Sequence, residues 1–162
     1  MKTIIAYTDG GCRGNGKEDA IGAYGITMSY TDPQGTIHTK EISKAFKGVT
    51  NNQMELQAVI ECLKALKEQC EVILMTDSKY VCNAINQNWL EGWKKRGWVN
   101  SSKQPVKNRE QWELLSELID FHVVKFFWVK GHSDNEGNQS ADELCNIAMS
   151  KYKEEMENGN VL

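Results

Sequence analysis

Four acidic residues lie where the sequence pattern places the ends or margins of predicted secondary structure. Asp9 and Asp77 are each expected to end a strand, Glu55 to flank the apolar stripe of a helix, and Asp142 to lie in the first turn of the last helix. The ends of neighbouring parallel strands lie together, so these carboxylates can converge. Because converging carboxylates repel one another, they favour binding of a hard divalent cation such as Mg²⁺. Two such ions about 3.5 to 4 Å apart can promote phosphodiester cleavage.

Each acidic residue also has a simpler interpretation. Asp9 could begin an ordinary Asp-Gly-Gly turn, Asp77 could cap the helix that follows it, and Glu55 could be a solvated helical carboxylate. Asp142 lies within Ser140–Glu143, a segment with capping-box spacing. Taken singly, the simpler interpretations are favoured, so the prediction of a catalytic site depends on the four residues as a set.

The elements that must position these residues are predicted from hydrophobic periodicity. An α/β layered domain is expected, with a mixed sheet whose first three strands form an antiparallel meander and whose last two are joined in parallel through helical crossovers. The continuously apolar fourth strand predicts burial on both of its faces. The predicted strands are 3–9, 24–30, 36–46, 72–75 and 123–129, and the predicted helices are 51–69, 78–88, 108–121 and 140–154.

Composition limits the domain count and the compartment. The 162 residues, 40% of them apolar, are enough for one core, which we place in residues 1–150, with a charged tail over 151–162 that is expected to fray. The five cysteines form no CxxC pair, and no apolar stretch is long enough to cross a bilayer. A protein of the reducing cytoplasm is expected, without a membrane anchor and without an obligate protein partner, as a monomer.

A basic segment stands out against the acidic remainder of the chain. Residues 92–109 carry six Lys or Arg and no acidic residue, so with a net charge of −3 for the chain the rest carries −9. A solvated charged face is the commoner explanation of such a run. The interleaved tryptophans Trp89, Trp93 and Trp98 favour a nucleic-acid binding surface instead, although Trp93, four residues after Trp89, can be partly buried.

Five motifs, in order along nearly the whole chain, resemble those of type 1 ribonuclease H. They are YTDGGCRGNG around Asp9, TNNQMELQAVI around Glu55, MTDSKY around Asp77, WLEGWKKRGW in the basic segment, and WVKGH followed by Asn138 and Asp142. The resemblance implies the ribonuclease H-like three-layer α/β fold, with a five-stranded mixed sheet flanked by helices. It implies hydrolysis of the RNA strand of RNA·DNA hybrids by two-metal-ion catalysis, giving 5′-phosphate and 3′-hydroxyl ends.

The resemblance also implies roles for single residues. Asp9, Glu55, Asp77 and Asp142 would bind two Mg²⁺ ions, which Mn²⁺ can replace, with Asp9 touching both. His132 would lie on a mobile loop and assist proton transfer or product departure, supported by Asn138. Residues that would read the RNA strand in the minor groove are Cys12, Asn15, Asn51 and Asn52. Residues that would bind the DNA strand are Thr50 and Asn108 at a phosphate, Tyr80, Trp89 and Ser101 along a channel, and Lys94, Lys95 and Arg96 in a basic protrusion.

The sequence departs from the family pattern at three places. Gly16–Asp19 replaces the Pro-Gly run common in the family, Lys79 adds a cation beside Asp77, and Gly48 stands where some relatives have a phosphate-binding arginine. The separate N-terminal hybrid-binding domain of some relatives is not expected.

Three alternatives remain open at this point. They are a transposase-like or integrase-like core, a hybrid-binding module without catalysis, and the ribonuclease H domain of a reverse transcriptase. Met1, two residues before the first predicted strand, favours a free-standing protein over the last of these.

Overall fold

The sheet of this protein is mixed and five-stranded, in the order β3-β2-β1-β4-β5, in a computed structural model that describes residues 1–131 and 135–159. Strands β3, β2 and β1 are antiparallel, whereas β1, β4 and β5 are parallel, which confirms the predicted fold class. The strands are β1 (Lys2–Arg13), β2 (Ile21–Thr31), β3 (Ile37–Lys47), β4 (Cys70–Thr76) and β5 (Val123–Trp128), and the helices are α1 (Asn51–Lys64), α2 (Lys79–Asn86), α3 (Trp89–Lys95), α4 (Arg109–Phe121) and α5 (Glu136–Glu157).

The main core lies between one face of the sheet and helices α1, α2 and α4. The periodic apolar residues of α1 are fully buried there, and Trp112 of α4 is buried against the aromatic rings of Tyr80 and Trp93. Helix α5 covers the other face, over β1, β2 and β3. Among the described residues, no helix has both the length and the apolar character needed to span a bilayer.

The apolar run of β4 predicted burial of both faces of this strand, and the prediction was wrong. Its burial alternates, with Val72 and Leu74 fully buried and Ile73 and Met75 partly exposed. The reason is that α5 packs across the opposite half of the sheet.

Two predicted element boundaries were wrong in ways that affect the acidic residues. Asp9 does not end β1, because the strand continues to Arg13 and pairs with β2 throughout. Helix α5 begins at Glu136 rather than near residue 140, because the Asn135 side chain accepts a hydrogen bond from the Asn138 N–H (2.9 Å). Asp142 therefore lies in the second turn of α5, and the proposed capping box from Ser140 is absent. The same helix continues to Glu157, so residues 151–157 of the predicted charged tail are helical.

Candidate active site

Three of the four predicted acidic residues converge where the pairing of the parallel strands β1 and β4 ends. One carboxylate oxygen from each of Asp9, Glu55 and Asp77 lies within 4.8 Å of the others. Asp142 lines the same cleft, which has a volume of about 440 Å³. Asp9 and Glu55 are buried and Asp77 is half-buried, so most of the surface of these carboxylates is withdrawn from solvent.

The parallel pairing of β1 with β4 places Asp9 beside Asp77. The last pair of residues in this ladder is Thr8 and Thr76, and Asp9 and Asp77 directly follow them in the sequence. Asp77 is held further by the Trp128 indole, whose Nε1–H donates to the Asp77 carbonyl (3.0 Å). Asp77 does not cap α2, because the Ser78 hydroxyl accepts the Val81 N–H in that role (3.2 Å).

Glu55 reaches the aspartates because α1 packs closely against β1 at a glycine. A Cβ added to Gly10 would lie 2.4 Å from the Glu55 backbone nitrogen, so only glycine permits this approach. The Gly10 N–H donates to Glu55 Oε1, which orients the carboxylate toward Asp9. Glu55 is therefore not the solvated helical carboxylate of the simpler interpretation.

Asp142 is brought to the cleft by a second close approach, between β2 and α5. A Cβ on Gly25 would lie 2.2 Å from the Ala141 carbonyl oxygen and 2.9 Å from the Cys145 nitrogen. Because Gly25 pairs with Asp9 across the β1–β2 ladder, α5 passes directly over the strand that carries Asp9. The position of Asp142 thus depends on the absence of a side chain on β2.

Crowding of these carboxylates raises the pKa of two of them. Burial and the negative charges of Glu55, Asp77 and Asp142 raise the pKa of Asp9 to about 10. Burial and the charge of Asp77 raise the pKa of Glu55 well above its usual value, although the hydrogen bond from Gly10 opposes this. Clustered oxygen ligands with unrelieved repulsion are the donor set that a hard cation such as Mg²⁺ requires. The residues present therefore fit a divalent metal site.

This pKa shift predicts how the stability of the metal-free protein depends on pH. Because the folded state holds the Asp9 proton more tightly than the unfolded chain, the stabilisation is present at low pH. It is lost as the pH rises from the usual value of 3.8 toward 10. In EDTA, we expect Asp9→Asn to gain stability relative to the parent as the pH rises. The difference between their free energies of unfolding should be larger by at least about 1 kcal/mol at about pH 9 than at about pH 6.

Urea unfolding at the two pH values, with and without Mg²⁺, measures this difference. Asp120→Asn, on the exposed side of α4, is the matched control and should show no pH-dependent gain. Equal pH dependence in parent and Asp9→Asn would mean that Asp9 is not crowded in the metal-free protein.

The residues predicted to read the RNA strand lie beside the carboxylates. Cys12 and Asn51 line the acidic cleft, and the Cys12 thiol donates to the Val49 carbonyl (3.1 Å). The Asn15 side chain accepts the Asn51 N–H (3.0 Å), which joins the turn after β1 to the start of α1. Asn52 is exposed in the first turn of α1. Cys12 and Asn51, which line the cleft, together with Asn15 and Asn52, which adjoin Asn51, are called the polar rim below.

The residues predicted to bind the DNA strand lie directly before α1, on α2 and α3, and in the segment that leads from α3 into α4. Thr50 caps α1, and Asn108 precedes α4 with its Nδ2–H donating to the Tyr80 hydroxyl (3.3 Å). Trp89, at the start of α3, is 43% exposed, and Ser101 lies on an exposed turn. The three basic residues, Lys94, Lys95 and Arg96, are at the end of α3 and directly after it.

Some residues of the cleft were missed by sequence reasoning. Arg13 lines the acidic cleft, and its Nη2 donates to the Asn146 carbonyl of α5 (3.4 Å). The available signal was strand alternation, because Arg13 lies four residues after Asp9 and so on the same face of β1. Cys145 also lines the cleft. His132, predicted to assist proton transfer, lies outside the described residues, whereas Asn138 is buried in the first turn of α5.

A cluster of carboxylates where two parallel strands of a mixed five-stranded sheet stop pairing, with oxygen ligands suited to a divalent metal, is typical of metal-dependent nucleases. This chain belongs to the ribonuclease H family, whose model, described as RNase H, matches residues 1–150. It is therefore a ribonuclease H enzyme.

Individual relatives agree with this assignment. The chain is 57% identical to a ribonuclease H of Clostridium botulinum over 152 residues, which are 94% of this chain and 99% of the relative. It is 49% identical to a ribonuclease H of Francisella philomiragia over 148 residues, 91% of either chain. The crystal structure of LC9-RNase H1, a type 1 RNase H with the type 2 active-site motif, superimposes with a TM-score of 0.84. That match has 28% identity and covers 93% of this chain and 74% of that one.

Proposed function

We propose that this protein is an endonuclease that hydrolyses the RNA strand of RNA·DNA hybrids, acting as a monomer with two Mg²⁺ ions. The observation that carries the proposal is the placement of the Asp9, Glu55 and Asp77 carboxylates directly beside the polar rim formed by Cys12, Asn15, Asn51 and Asn52. A phosphodiester presented to the carboxylates thus brings its ribose to the rim.

The four carboxylates, Asp9, Glu55, Asp77 and Asp142, would hold the ions. Mg²⁺, or Mn²⁺ in its place, supplies Lewis acidity at the scissile phosphodiester and lowers the pKa of the attacking water when bound. The chain itself fixes the geometry, because Asp9 and Asp77 directly follow paired residues of β1 and β4 and Glu55 is oriented by the Gly10 N–H. Water attacks phosphorus and the P–O3′ bond breaks, so the products are a 5′-phosphate and a 3′-hydroxyl.

Selection for RNA on the cleaved strand would come from the polar rim. Hydroxyl groups at the ribose 2′ position distinguish RNA from DNA in a wide minor groove. The Asn15 side chain and the Asn51 backbone are bonded to each other, so the rim is held in place before substrate arrives. Exposed Asn52 supplies a further donor and acceptor.

Selection for DNA on the other strand would come from the aromatic and basic surface. Tyr80 lines a groove with Trp93 and Lys107, and Trp89 is exposed at the start of the adjoining helix. Close packing of such rings against deoxyribose leaves no room for a 2′-hydroxyl. We propose that this surface excludes the RNA duplex.

Cleavage of a hybrid labelled on each strand in turn tests the function. We expect cuts in the RNA strand only, and at least about a hundredfold slower cutting of RNA duplex, DNA duplex and single-stranded RNA, as unpaired polar groups in a specific site can produce. End analysis should find 5′-phosphate products. Cutting of the DNA strand would favour the transposase-like alternative, and binding without cutting would favour a hybrid-binding module. A 2′,3′-cyclic phosphate would contradict attack by water.

The basic protrusion is expected to contribute counterion release to hybrid binding. Replacing Lys94, Lys95 and Arg96 together by Gln should reduce the slope of log affinity against log salt by roughly 0.9 for each phosphate that these side chains neutralise in the parent. The single-turnover cleavage rate of bound hybrid should change much less, because these side chains are at the end of α3 and the residues that line the carboxylate cleft include none of them.

A matched control removes the same charge elsewhere. Lys67, Lys151 and Lys153 are exposed on other parts of the surface, and their joint replacement by Gln should leave the slope near that of the parent. Equal slopes for both triple variants would show that the basic protrusion is only a solvated face.

A further inference from the structure

Three glutamine residues form a continuous polar contact between α1 and α4. The Gln111 amide Nε2 of α4 donates to the Gln53 carbonyl (3.0 Å) and to Gln57 Oε1 (3.0 Å), both on α1. The Gln57 amide in turn donates to Glu61 Oε1 (2.9 Å). All four residues are partly buried, so these bonds are shielded from water on one side. The first turn of α4 is thereby fixed against α1.

One end of this contact leads to Thr50. Gln53 and Thr50 form a reciprocal capping box, in which the Thr50 hydroxyl accepts the Gln53 N–H (3.2 Å) and Gln53 Oε1 accepts the Thr50 N–H (2.9 Å). Because the hydroxyl oxygen accepts that bond, its hydrogen can still be donated to a ligand. Gln53, whose carbonyl accepts the hydrogen bond from Gln111, is therefore also the residue that orients the Thr50 hydroxyl.

The other end of the contact leads to Asn108. This residue precedes α4 in the left-handed region, with φ of 60° and no side-chain cap of its own. Its amide donates to the Tyr80 hydroxyl, which also accepts the Trp112 Nε1–H (2.9 Å). Tyr80 and fully buried Trp112 thus fix Asn108 against α2, while Gln111 fixes it against α1. Gln53, Asn108 and Gln111 line one groove.

We propose that Gln111 is a positioning residue that holds the starts of α1 and α4 at a fixed separation, so that Thr50 and Asn108 bind the same phosphate of the DNA strand. The apolar contacts between the two helices are non-directional and permit small sliding. The two amide hydrogens of Gln111 have defined directions, and each meets an acceptor on α1. This inference rests on the proposed hybrid cleavage.

Steady-state cleavage of the hybrid by Gln111→Met is the first test. Met keeps the length of the side chain and removes both donated bonds, so KM should rise about fivefold while kcat stays within about twofold, as expected for neutral hydrogen bonds that affect binding alone. Gln57→Met should have a smaller effect, because Gln111 keeps its bond to the Gln53 carbonyl. Gln87→Met, which removes an exposed hydrogen bond from the residue that follows α2 to Asn83 of that helix, is the matched control and should match the parent.

A scan of single methylphosphonates along the DNA strand separates positioning from general weakening. Each replaces one phosphate charge by a neutral group, and the parent should show one position where the affinity falls most. At that position the methylphosphonate should reduce the affinity of Gln111→Met by a factor about fivefold smaller than in the parent, because the variant's contact with this phosphate is already weakened. At every other position the loss of affinity should be the same in the variant and the parent. Gln111→Lys, which restores a donor to both acceptors, should restore the parent's decrease at that position.

The outcomes are distinguishable. A parent that does not cut hybrids would overturn the proposed function itself. A parent that cuts hybrids but shows no sensitive DNA phosphate, or a Gln111→Met variant with the parent's profile and KM, would overturn the positioning role alone. Thermal unfolding of each variant shows whether it is folded at the assay temperature. If Gln111→Met is unfolded at that temperature, the same scan is made on Gln57→Met. A loss of affinity at the sensitive phosphate equal to that of the parent would then overturn the positioning role of Gln111.

Discussion

Replacing Asp77 by Asn is expected to reduce cleavage of the RNA strand in Mg²⁺ by more than about a hundredfold. This is a larger loss than is usual when a residue that only hydrogen-bonds a metal ligand is removed. The substitution removes a charge that is within 4.8 Å of Asp9 and Glu55 oxygens without changing the size of the side chain. Folding should survive, because Ser78 rather than Asp77 caps α2 and the Trp128 indole bonds the Asp77 backbone. Cleavage rates and thermal unfolding measure the two effects.

The metal-free variant should be at least as stable as the parent, since the charge of Asp77 is a cause of the raised pKa of Glu55. Hybrid binding in EDTA should also persist, because the binding surfaces lie on other elements. Asp120→Asn on α4 makes the same chemical change at an exposed position and should cleave like the parent. Substantial cleavage by Asp77→Asn would remove Asp77 from the proposed set of metal ligands.

Gly25→Ala is expected to disturb both the fold and the site. Its Cβ would lie 2.2 Å from the Ala141 carbonyl oxygen, a backbone atom that cannot turn aside, so α5 must move away from β2. The free energy of unfolding should fall by about 3 kcal/mol, at the upper end of the cost of overpacking a well-packed core. Since Asp142 follows Ala141 directly, its carboxylate should move outward and half-maximal activity should require more Mg²⁺.

Urea unfolding and Mg²⁺ titration of cleavage, below the unfolding temperature of the variant, measure these effects. Gly92→Ala in α3 is the control, because its nearest neighbours are atoms of the Arg96 guanidinium, which can rotate away. Alanine also favours a helix over glycine, so that variant should be as stable as the parent or more so. Unchanged stability of Gly25→Ala would mean that α5 is not held against β2 by this contact.

The fold could largely be predicted because its signals are local. The apolar periodicity of α1, the alternation in β2 and the connection lengths are each contained within about 20 residues, and they predicted the order of the five strands and of every helix except α3. The margin position of Glu55 followed from the same periodicity. The convergence of Asp9, Glu55 and Asp77 was inferred from strand order, and the structure confirms it.

What the sequence could not provide depended on contacts between distant segments. Asp9-Gly10-Gly11 has the composition of a turn, yet it continues β1 because Gly10 lies against α1. Glycine at residue 137 disfavours a helix, but a Cβ there would lie 2.2 Å from the Tyr7 ring, so α5 starts early where its backbone packs on β1. The polar contact of Gln111 with α1 was also not foreseen, because Gln53 and Gln57 are more than 50 residues away.

The pairing of Tyr7 with Met75 in the parallel ladder determines where the chain around the candidate active site can gain or lose a residue. Asp9 and Asp77 each come two residues after this pair, and side chains two apart along a strand point to the same face of the sheet. Inserting or deleting one residue between Met75 and Asp77 would change the parity of the count and direct the Asp77 side chain to the opposite face, even with every original residue still present. An insertion within the Gly16–Asp19 turn changes no such count. Length variants should therefore be tolerated at that turn and be inactive in β1 before Asp9 or in β4.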